Sequence, residues 1–302
     1  MNIIFSIEGG IGKSIMATAV CKAIKKQYPK DNLIVLTAYT EVFLCNPYVY
    51  KCLNINNLEY FYRDFIEGKS VKAFLHNPYN ETNFIMREEH LLKTWCKMFD
   101  IEYNGEMPQL YLTEREERFY SKMFASDKPI MVMQTNGGAV NQNVKYSWSR
   151  DIPYNVAQRV ANEFCNEYSI FHIRRDDQIT LQNTIPVQAD FRALAVLINM
   201  SSKRLLIDSF AQHTAKALGK NSVVTWIGNV PKQFGYENNI NIIAKEENGS
   251  AELKNAVFSK YQINGDLLDF PFKSEEDIFD VEDIIKALRE VELSVIDKFL
   301  KD

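Results

Sequence analysis

The sequence predicts an α/β protein made of two Rossmann-like halves, and three observations carry that prediction. Short apolar runs bounded by turn residues alternate with stretches of helical period along most of the chain. The strand–turn–helix order opens the chain and begins again after the polar, proline-containing Ser126-Asp127-Lys128-Pro129. Between residues 203 and 228 the run KRLLIDSFAQHTAKALGKNSVVTWIG reads as a strand, a tight turn, a helix and a second strand. The expected domains are 1–126 and 127–302, with a ligand in the cleft between them and the last helix free to pack back toward the first half.

In the first half, residues 2–6 are an apolar strand followed by Gly9-Gly10-Ile11-Gly12. A helix then runs through Tyr28, with Ile15, Ala19, Cys21 and Ile24 on its apolar side. A strand follows at 32–36, then a turn at Asn46-Pro47. The aromatic-rich stretch 60–65 suits packing or the wall of a cleft. Residues 71–75 form a strand ending at His76-Asn77-Pro78, and 87–99 place Leu91, Leu92, Trp95 and Met98 at helical spacing. Residues 108–112 read as a last short strand, after which Thr113-Glu114-Arg115-Glu116 opens a capped helix.

The second half has a strand at 130–134, the glycine-bearing turn Thr135-Asn136-Gly137-Gly138, a mostly helical stretch at 151–168 and a strand at 169–173. Arg174, Arg175, Asp176 and Asp177 follow it, either as readers of ribose or base or as a solvated loop. A helix at 190–200 leads to the strand 204–207, the turn Asp208-Ser209, a helix to Leu218, and Gly219 in the left-handed conformation that ends helices. Strands at 222–226 and 239–243 come next, and a helix over 275–299 is opened by Ser274-Glu275-Glu276-Asp277.

The bulk numbers narrow the function. The chain has 302 residues, 46% of them hydrophobic, with 35 basic and 39 acidic side chains. No basic tail or stripe stands out, so a nucleic acid is disfavoured as partner, although the totals leave room for a local patch. The 5 cysteines are scattered without CxxC spacing, as reduced cytoplasmic thiols are, and argue against disulfides or zinc. The opening residues lack the basic flank and apolar length of a signal peptide, and no run approaches the ~20 apolar residues of a membrane span. A cytoplasmic protein is expected, and peripheral membrane association is compatible with it.

Two stretches carry chemistry. The turn at Asp208-Ser209 delivers an Asp and a Ser to the carboxyl edge of a parallel sheet at a helix N-terminus, where free N–H groups and the positive dipole end suit a phosphate or diphosphate. His213 follows one helical turn later. The plainer reading is an N-cap Asp before an ordinary crossover helix, with His213 on the surface or in the core.

The second stretch is Glu8-Gly9-Gly10-Ile11-Gly12-Lys13-Ser14. Gly-Gly-x-Gly-Lys-Ser resembles the variant phosphate loop of ParA/MinD-type ATPases, and RLLID at 204–208 imitates a strand ending in a magnesium-holding Asp. Standard spacing, however, needs glycine where Ile7 stands, the variant loop begins with Lys where Glu8 stands, and the second strand lacks those enzymes' acidic cluster.

The same glycines, continued by Ile15-Met16-Ala17-Thr18-Ala19-Val20 and by KAIKKQYP, resemble the opening of glycosyltransferase family 9, the heptosyltransferase-like enzymes. The resemblance continues through Asn46-Pro47-Tyr48-Val49, His90-Leu91-Leu92, Pro108-Gln109-Leu110-Tyr111-Leu112-Thr113 and Lys145-Tyr146-Ser147-Trp148. It is clearest at Asp208-Ser209-x-x-x-His213-x-Ala215-x-Ala217-Leu218-Gly219, which matches the family's donor-site signature, and Val281-Glu282-Asp283-Ile284-Ile285 suits its C-terminal helix.

The resemblance implies the GT-B fold, with two facing Rossmann-like domains and a donor/acceptor cleft between them that closes on the donor. It implies inverting, metal-independent transfer of a sugar, most simply from ADP-heptose, to a saccharide or lipid-linked saccharide such as a lipopolysaccharide core. Thr135, Asn136, Lys145, Asp208, Ser209 and His213 are then the donor-binding residues, and Gly9, Gly10 and Gly12 the acceptor-side loop. No metal and no cofactor beyond the nucleotide sugar are implied. Tyr146 and Trp148 offer a stacking face, or core packing.

The sequence departs from the family at one place. The family commonly has Asp directly after Gly-Gly-x-Gly, as candidate base, where this chain has Lys13. A protonated lysine cannot accept the acceptor's proton. Three explanations stand: Glu8 is the base, Lys13 binds a phosphate or carboxylate of an unusual acceptor, or the chain has diverged to slow chemistry or to binding alone. Alternative functions are the ATPase, a non-catalytic sugar-nucleotide binder, and a transferase acting on nucleic acid or protein.

Overall fold

A computed structural model describes residues 1–137, 145–245, 270 and 272–299, with side chains in the last helix described through Val291. Gly138 of the glycine-bearing turn lies outside the described residues. The chain divides into two compact units, Met1–Glu114 with Lys216–Gly219, and Arg115–Ala215 with Lys220–Asp302.

The first unit is built on a parallel sheet of four strands in the order β3-β2-β1-β4, formed by β1 (Asn2–Ile7), β2 (Asn32–Thr37), β3 (Lys51–Asn54) and β4 (Val71–Phe74). Both faces of the central strands are covered, which is why β1 and β2 read as continuous apolar runs. Alternate side chains of β1 go to opposite faces. Ile4, with Ile34 and Leu36, packs under Leu53, Leu58, Phe61 and Phe65. Phe5 meets Trp95 edge-on at 5.4 Å between ring centroids. Trp95 belongs to α3 (Leu91–Met98), which follows the short α2 (Thr82–Ile85) and packs against α1 (Ile11–Gln27). The expected helices and strands are present, except that 108–112 is not a strand. The Gln109 N–H donates to Thr18 Oγ1 on α1 at 2.9 Å rather than to a sheet edge. Strand β3 escaped the sequence because KCLN is polar at both ends and only half-buried.

Helix α4 (Glu114–Tyr120) follows, and its partners lie in the second unit. Glu116 takes both Nε and Nη2 of Arg192 at 2.7 Å, and Glu117 accepts from Asn199. These two partners lie on α6 (Phe191–Met200), which explains why the units change over at Glu114 while the polar turn before residue 130 only introduces a strand.

Among its described residues the second unit holds six parallel strands in the order β10-β9-β8-β5-β6-β7. They are β5 (Ile130–Met133), β6 (Ser169–Ile173), β7 (Ile185–Val187), β8 (Lys203–Ile207), β9 (Val223–Trp226) and β10 (Ile240–Ile243). Helix α5 (Tyr154–Phe164) connects β5 to β6, α7 (Phe210–Ala217) connects β8 to β9, and the short α8 (Pro231–Phe234) precedes β10. Gly219 ends α7 with φ +73°, the left-handed conformation expected of it. The chain closes with a 3₁₀ turn, Glu275–Asp277, and α9 (Val281–Phe299). The stretch 275–299 is therefore broken: Ser274 begins the 3₁₀ turn, and the long helix starts only after Asp280.

Helix α9 packs on its own unit, with Ile284, Leu288 and Val291 in one cluster with Val160, Ala161 and Phe164 of α5. The fully buried Lys203 donates to the Leu288 carbonyl at 2.6 Å and lies over the rings of Phe164 and Tyr168. Substituting Leu288, which has no exposure, by alanine should cost about 3 kcal/mol in urea unfolding. A cost below about 1 kcal/mol would mean that α9 is not part of this core.

Candidate functional site

Strand order in the second sheet reverses once. The chain lays β5, β6 and β7 toward one edge, returns to place β8 beside β5, and continues outward through β9 and β10. Connections diverge at that point, which makes the carboxyl ends of β5 and β8 the kind of position where ligands bind in α/β sheets. Gln134 and Thr135 leave β5 there, and Asp208 and Ser209 leave β8. Gln134 Nε2 donates to Ser209 Oγ at 3.3 Å and bridges the two strand ends.

The residues at the end of β5 form one network. Thr135 Oγ1 donates to Asn136 Oδ1 at 2.9 Å and stands 2.8 Å from His172 Nε2. A hydroxyl has one proton to give, so the His172 Nε2–H donates to Thr135. Asn136 Nδ2 donates to Asp151 Oδ2 at 3.2 Å, and Asp151 also accepts the N–H groups of Gly137 (2.9 Å) and Ser147 (2.8 Å). Burial raises the Asp151 carboxyl, against the lowering by those N–H donors. Burial of His172, helped by the charge of Arg174, lowers its pKa from 6.5 to about 4, so the imidazole is neutral. Its Nδ1 is buried without a hydrogen-bond partner among the described residues.

At the end of β8, Asp208 accepts from Gln212 Nε2 at 3.1 Å and from Asn229 Nδ2. The Ser209 N–H turns back to the Ile207 carbonyl at 2.7 Å, leaving the first N–H groups of α7 beyond it without intrahelical acceptors. His213 is buried, with Nδ1 2.8 Å from the Tyr236 hydroxyl and the two rings perpendicular. The side chain of Lys145 is exposed; the Asp177 carboxyl is lowered chiefly by its hydrogen bond from Arg175, and the charge of Lys145 adds a smaller part. Arg174 and Arg175 are engaged within their own loop, by the carbonyls of Asp176 and Gln178 and by Asp177. A cavity of about 190 Å³ lies beside Thr135 and Asn136, lined also by Tyr146, Tyr154, Leu181 and Glu275. Trp148 meets Phe270 and Phe272 edge-on and belongs to the core packing.

The first sheet also reverses once, between β1 and β4, and the glycine loop leaves β1 at that point. Gly9 has φ +102°, and Gly10 is the N-cap of α1. The Gly10 carbonyl accepts from the N–H groups of Lys13 (3.1 Å) and Ser14 (3.3 Å), while Gly12 sits in the first turn of the helix. Lys13 is 5% exposed; its Nζ donates to Asn77 Oδ1 at 2.7 Å and lies 4.6 Å and 5.4 Å from the ring centroids of Tyr79 and Trp95. Burial lowers Lys13 to about 8, partly offset by the carboxylate of Glu8. Ser14 Oγ is fully buried, 3.0 Å from Thr37 Oγ1. A nucleotide-phosphate loop needs both side chains turned toward the ligand and its magnesium-holding Asp on the same sheet. Here the lysine and serine are turned into the unit, and Asp208 follows a strand of the other sheet.

Sequence reading reached Thr135, Asn136, Asp208 and Ser209, which the structure places at one sheet edge. It missed Gln134, His172, Asp151, Gln212 and Asn229, which hold them. Only His172 carried a signal, as a polar side chain in the apolar strand SIFHI. Among the described residues, no group of three His, Cys, Asp or Glu is placed to hold a metal ion, and no helix is long and apolar enough to cross a membrane.

No family model and no curated protein sequence matches the chain. Solved structures do. The chain is similar to a glycosyl transferase family 9 protein from Veillonella parvula, at 14% identity over 97% of both chains with a TM-score of 0.70. It is similar to the E. coli ADP-heptose lipopolysaccharide heptosyltransferase II, at 12% identity over 97% of this chain and 99% of that one, TM-score 0.66. It is also similar to the E. coli heptosyltransferase WaaC with ADP-2-deoxy-2-fluoro heptose, at 10% identity over 87% and 100%, TM-score 0.54. The fold is GT-B.

The neutral, buried His172 sets a sign for stability against pH. Its pKa is lower folded than unfolded, so the folded chain binds fewer protons as pH falls from 6.5 toward 4 and stability is lost across that window. Between pH 7 and 4.5 the loss from this group is about 2 kcal/mol. His172→Gln, which keeps a donor for Thr135, should flatten the pH dependence of urea unfolding by about that amount; an unchanged dependence contradicts the assignment.

Proposed function

We propose that the chain is a glycosyltransferase that moves a sugar from a nucleotide-diphosphate donor to a saccharide acceptor, with inversion and without a resident metal. The observation that carries this is the joining of the β5 and β8 ends at the reversal of the second sheet, through Gln134 and Ser209. It is supported by the likeness in fold to heptosyltransferases, whose solved structures include one with an ADP sugar. ADP-heptose is the simplest donor, and a lipopolysaccharide core, lipid-linked or free, the simplest acceptor. The chemistry belongs in the cytoplasm, at the membrane face where the acceptor is lipid-linked.

Ser209 Oγ and the first N–H groups of α7 take the diphosphate, with Thr135 and Asn136 lining the site from the end of β5 and the exposed Lys145 supplying positive charge. Asp208 is spoken for by Gln212 and Asn229, which suits a carboxylate that organises the turn without touching an anion. His213, tied to Tyr236, fixes α7 behind the site. In the reaction the acceptor oxygen bonds to the anomeric carbon, the bond from that carbon to phosphate oxygen breaks, and its electron pair leaves on the nucleoside diphosphate. Hydrogen-bond donors already fixed at the place where that charge develops lower the barrier. The change from Asp to Lys13 favours one second reading, a sugar-nucleotide binder without transfer.

In metal-free buffer, ADP-heptose at about 100 times its Kd should stabilise the chain by about 2.7 kcal/mol, seen as a rise in Tm. Ser209→Ala and Lys145→Ala should each weaken that binding about tenfold, the loss of one hydrogen bond to a charged group. Stabilisation by ATP with Mg²⁺ and by no sugar nucleotide contradicts the proposal.

A further inference from the structure

The first unit offers two ionisable side chains at the reversal of its sheet, and their surroundings differ. Lys13 is drawn inward from the start of α1. Its ammonium is capped by Asn77 Oδ1, which also accepts the Tyr79 N–H at 3.1 Å, and is enclosed by the rings of Tyr79 and Trp95. Its stem fills the space under the glycine turn: a Cβ on Gly9 would stand 3.3 Å from Lys13 Cδ, and Gly9 has the positive φ that lets the turn cross there. Burial lowers the amine to about 8. The aromatic faces and the amide oxygen that partly replace its water also enclose it, so that at 5% exposure it is shut away from an incoming hydroxyl. Glu8 is the reverse case. It is the residue directly after β1, it is exposed, and its negative charge is felt at Lys13 without a hydrogen bond or ion pair to any described residue.

We propose that Glu8 is the general base that takes the acceptor hydroxyl proton, and that Lys13 is a positioning cation that holds the Glu8–Gly10 turn in place. This rests on the transferase reading above. The proton moves from the attacking hydroxyl to a Glu8 carboxylate oxygen as the new bond to the anomeric carbon forms and the nucleoside diphosphate departs. Lys13 touches neither substrate nor leaving group. The ammonium meets Asn77 Oδ1 and the rings of Tyr79 and Trp95, and the carboxylate of Glu8 acts on it through charge alone. Loss of the Lys13 proton, near pH 8, removes the cation from its cage and its attraction for Glu8, so the alkaline limb of the rate profile belongs to Lys13.

The test follows ADP release from ADP-heptose with deacylated lipopolysaccharide core as acceptor, in parallel with donor binding by thermal shift. Glu8→Gln should bind ADP-heptose as the unsubstituted chain does and lose about a hundredfold or more in kcat. Added formate should restore part of the activity of Glu8→Ala. Lys13→Met, whose apolar side chain fits the cage, should keep the fold, lose about tenfold in kcat/KM, and lose the alkaline limb near pH 8. The opposite ranking, with Glu8→Gln near full activity and Lys13→Met without any, overturns the proposal and makes Lys13 the base. Failure of ADP-heptose to bind the unsubstituted chain overturns the transferase reading instead, so the two failures are distinct.

Discussion

In each sheet the chain winds to one edge, returns to the middle and winds to the other, and that return leaves two strand ends side by side with their connections leading apart. The parallel sheet imposes this. Strands joined by crossover helices can be added on either side of the first, and wherever the direction of addition changes a gap opens at the carboxyl edge. In the second unit the gap lies between β5 and β8, in the first between β1 and β4. Thr135, Asn136, Asp208 and Ser209, and both ionisable groups of the glycine loop, follow from these two positions.

What lies at each gap is a matter of how polar groups are satisfied. Behind Thr135 the neutral imidazole of His172, the amide of Asn136 and the carboxylate of Asp151 form a chain in which nearly every donor finds an acceptor. Such a network is costly if one member is lost, because the rest are already out of water. It therefore fixes Thr135, Asn136 and Gly137 before any ligand arrives, the condition under which hydrogen-bond donors act on a developing charge without reorganising. At the glycine loop the same logic runs through a cation. Two aromatic faces and one amide oxygen replace the water that burial takes from Lys13.

The sequence made the order of elements legible because periodicity and turn chemistry are local. The strands 2–6, 32–36, 130–134, 169–173 and 204–207, and the left-handed Gly219, needed only neighbours a few residues away. It misled at 108–112, where an extended run meets a side chain of α1 instead of a strand. The candidate site was half legible. Thr135, Asn136, Asp208 and Ser209 stand at turns that a reader can mark. Of the residues that hold them, His172, Asp151 and Asn229 are distant in sequence and become visible only once the fold is known. Lys13 shows the limit most clearly. Its spacing suggested a phosphate-binding lysine, but partners more than sixty residues away turn it inward.

The central claim is that the carboxyl edge at the reversal of the second sheet receives the anionic half of an activated sugar. Amide hydrogen exchange with and without ADP, in metal-free buffer, tests it most directly. The account predicts slowed exchange at the amides of residues 209–212 and 135–137, with residues 9–14 unchanged. Slowing confined to residues 9–14, with no change at the ends of β5 and β8, would contradict it.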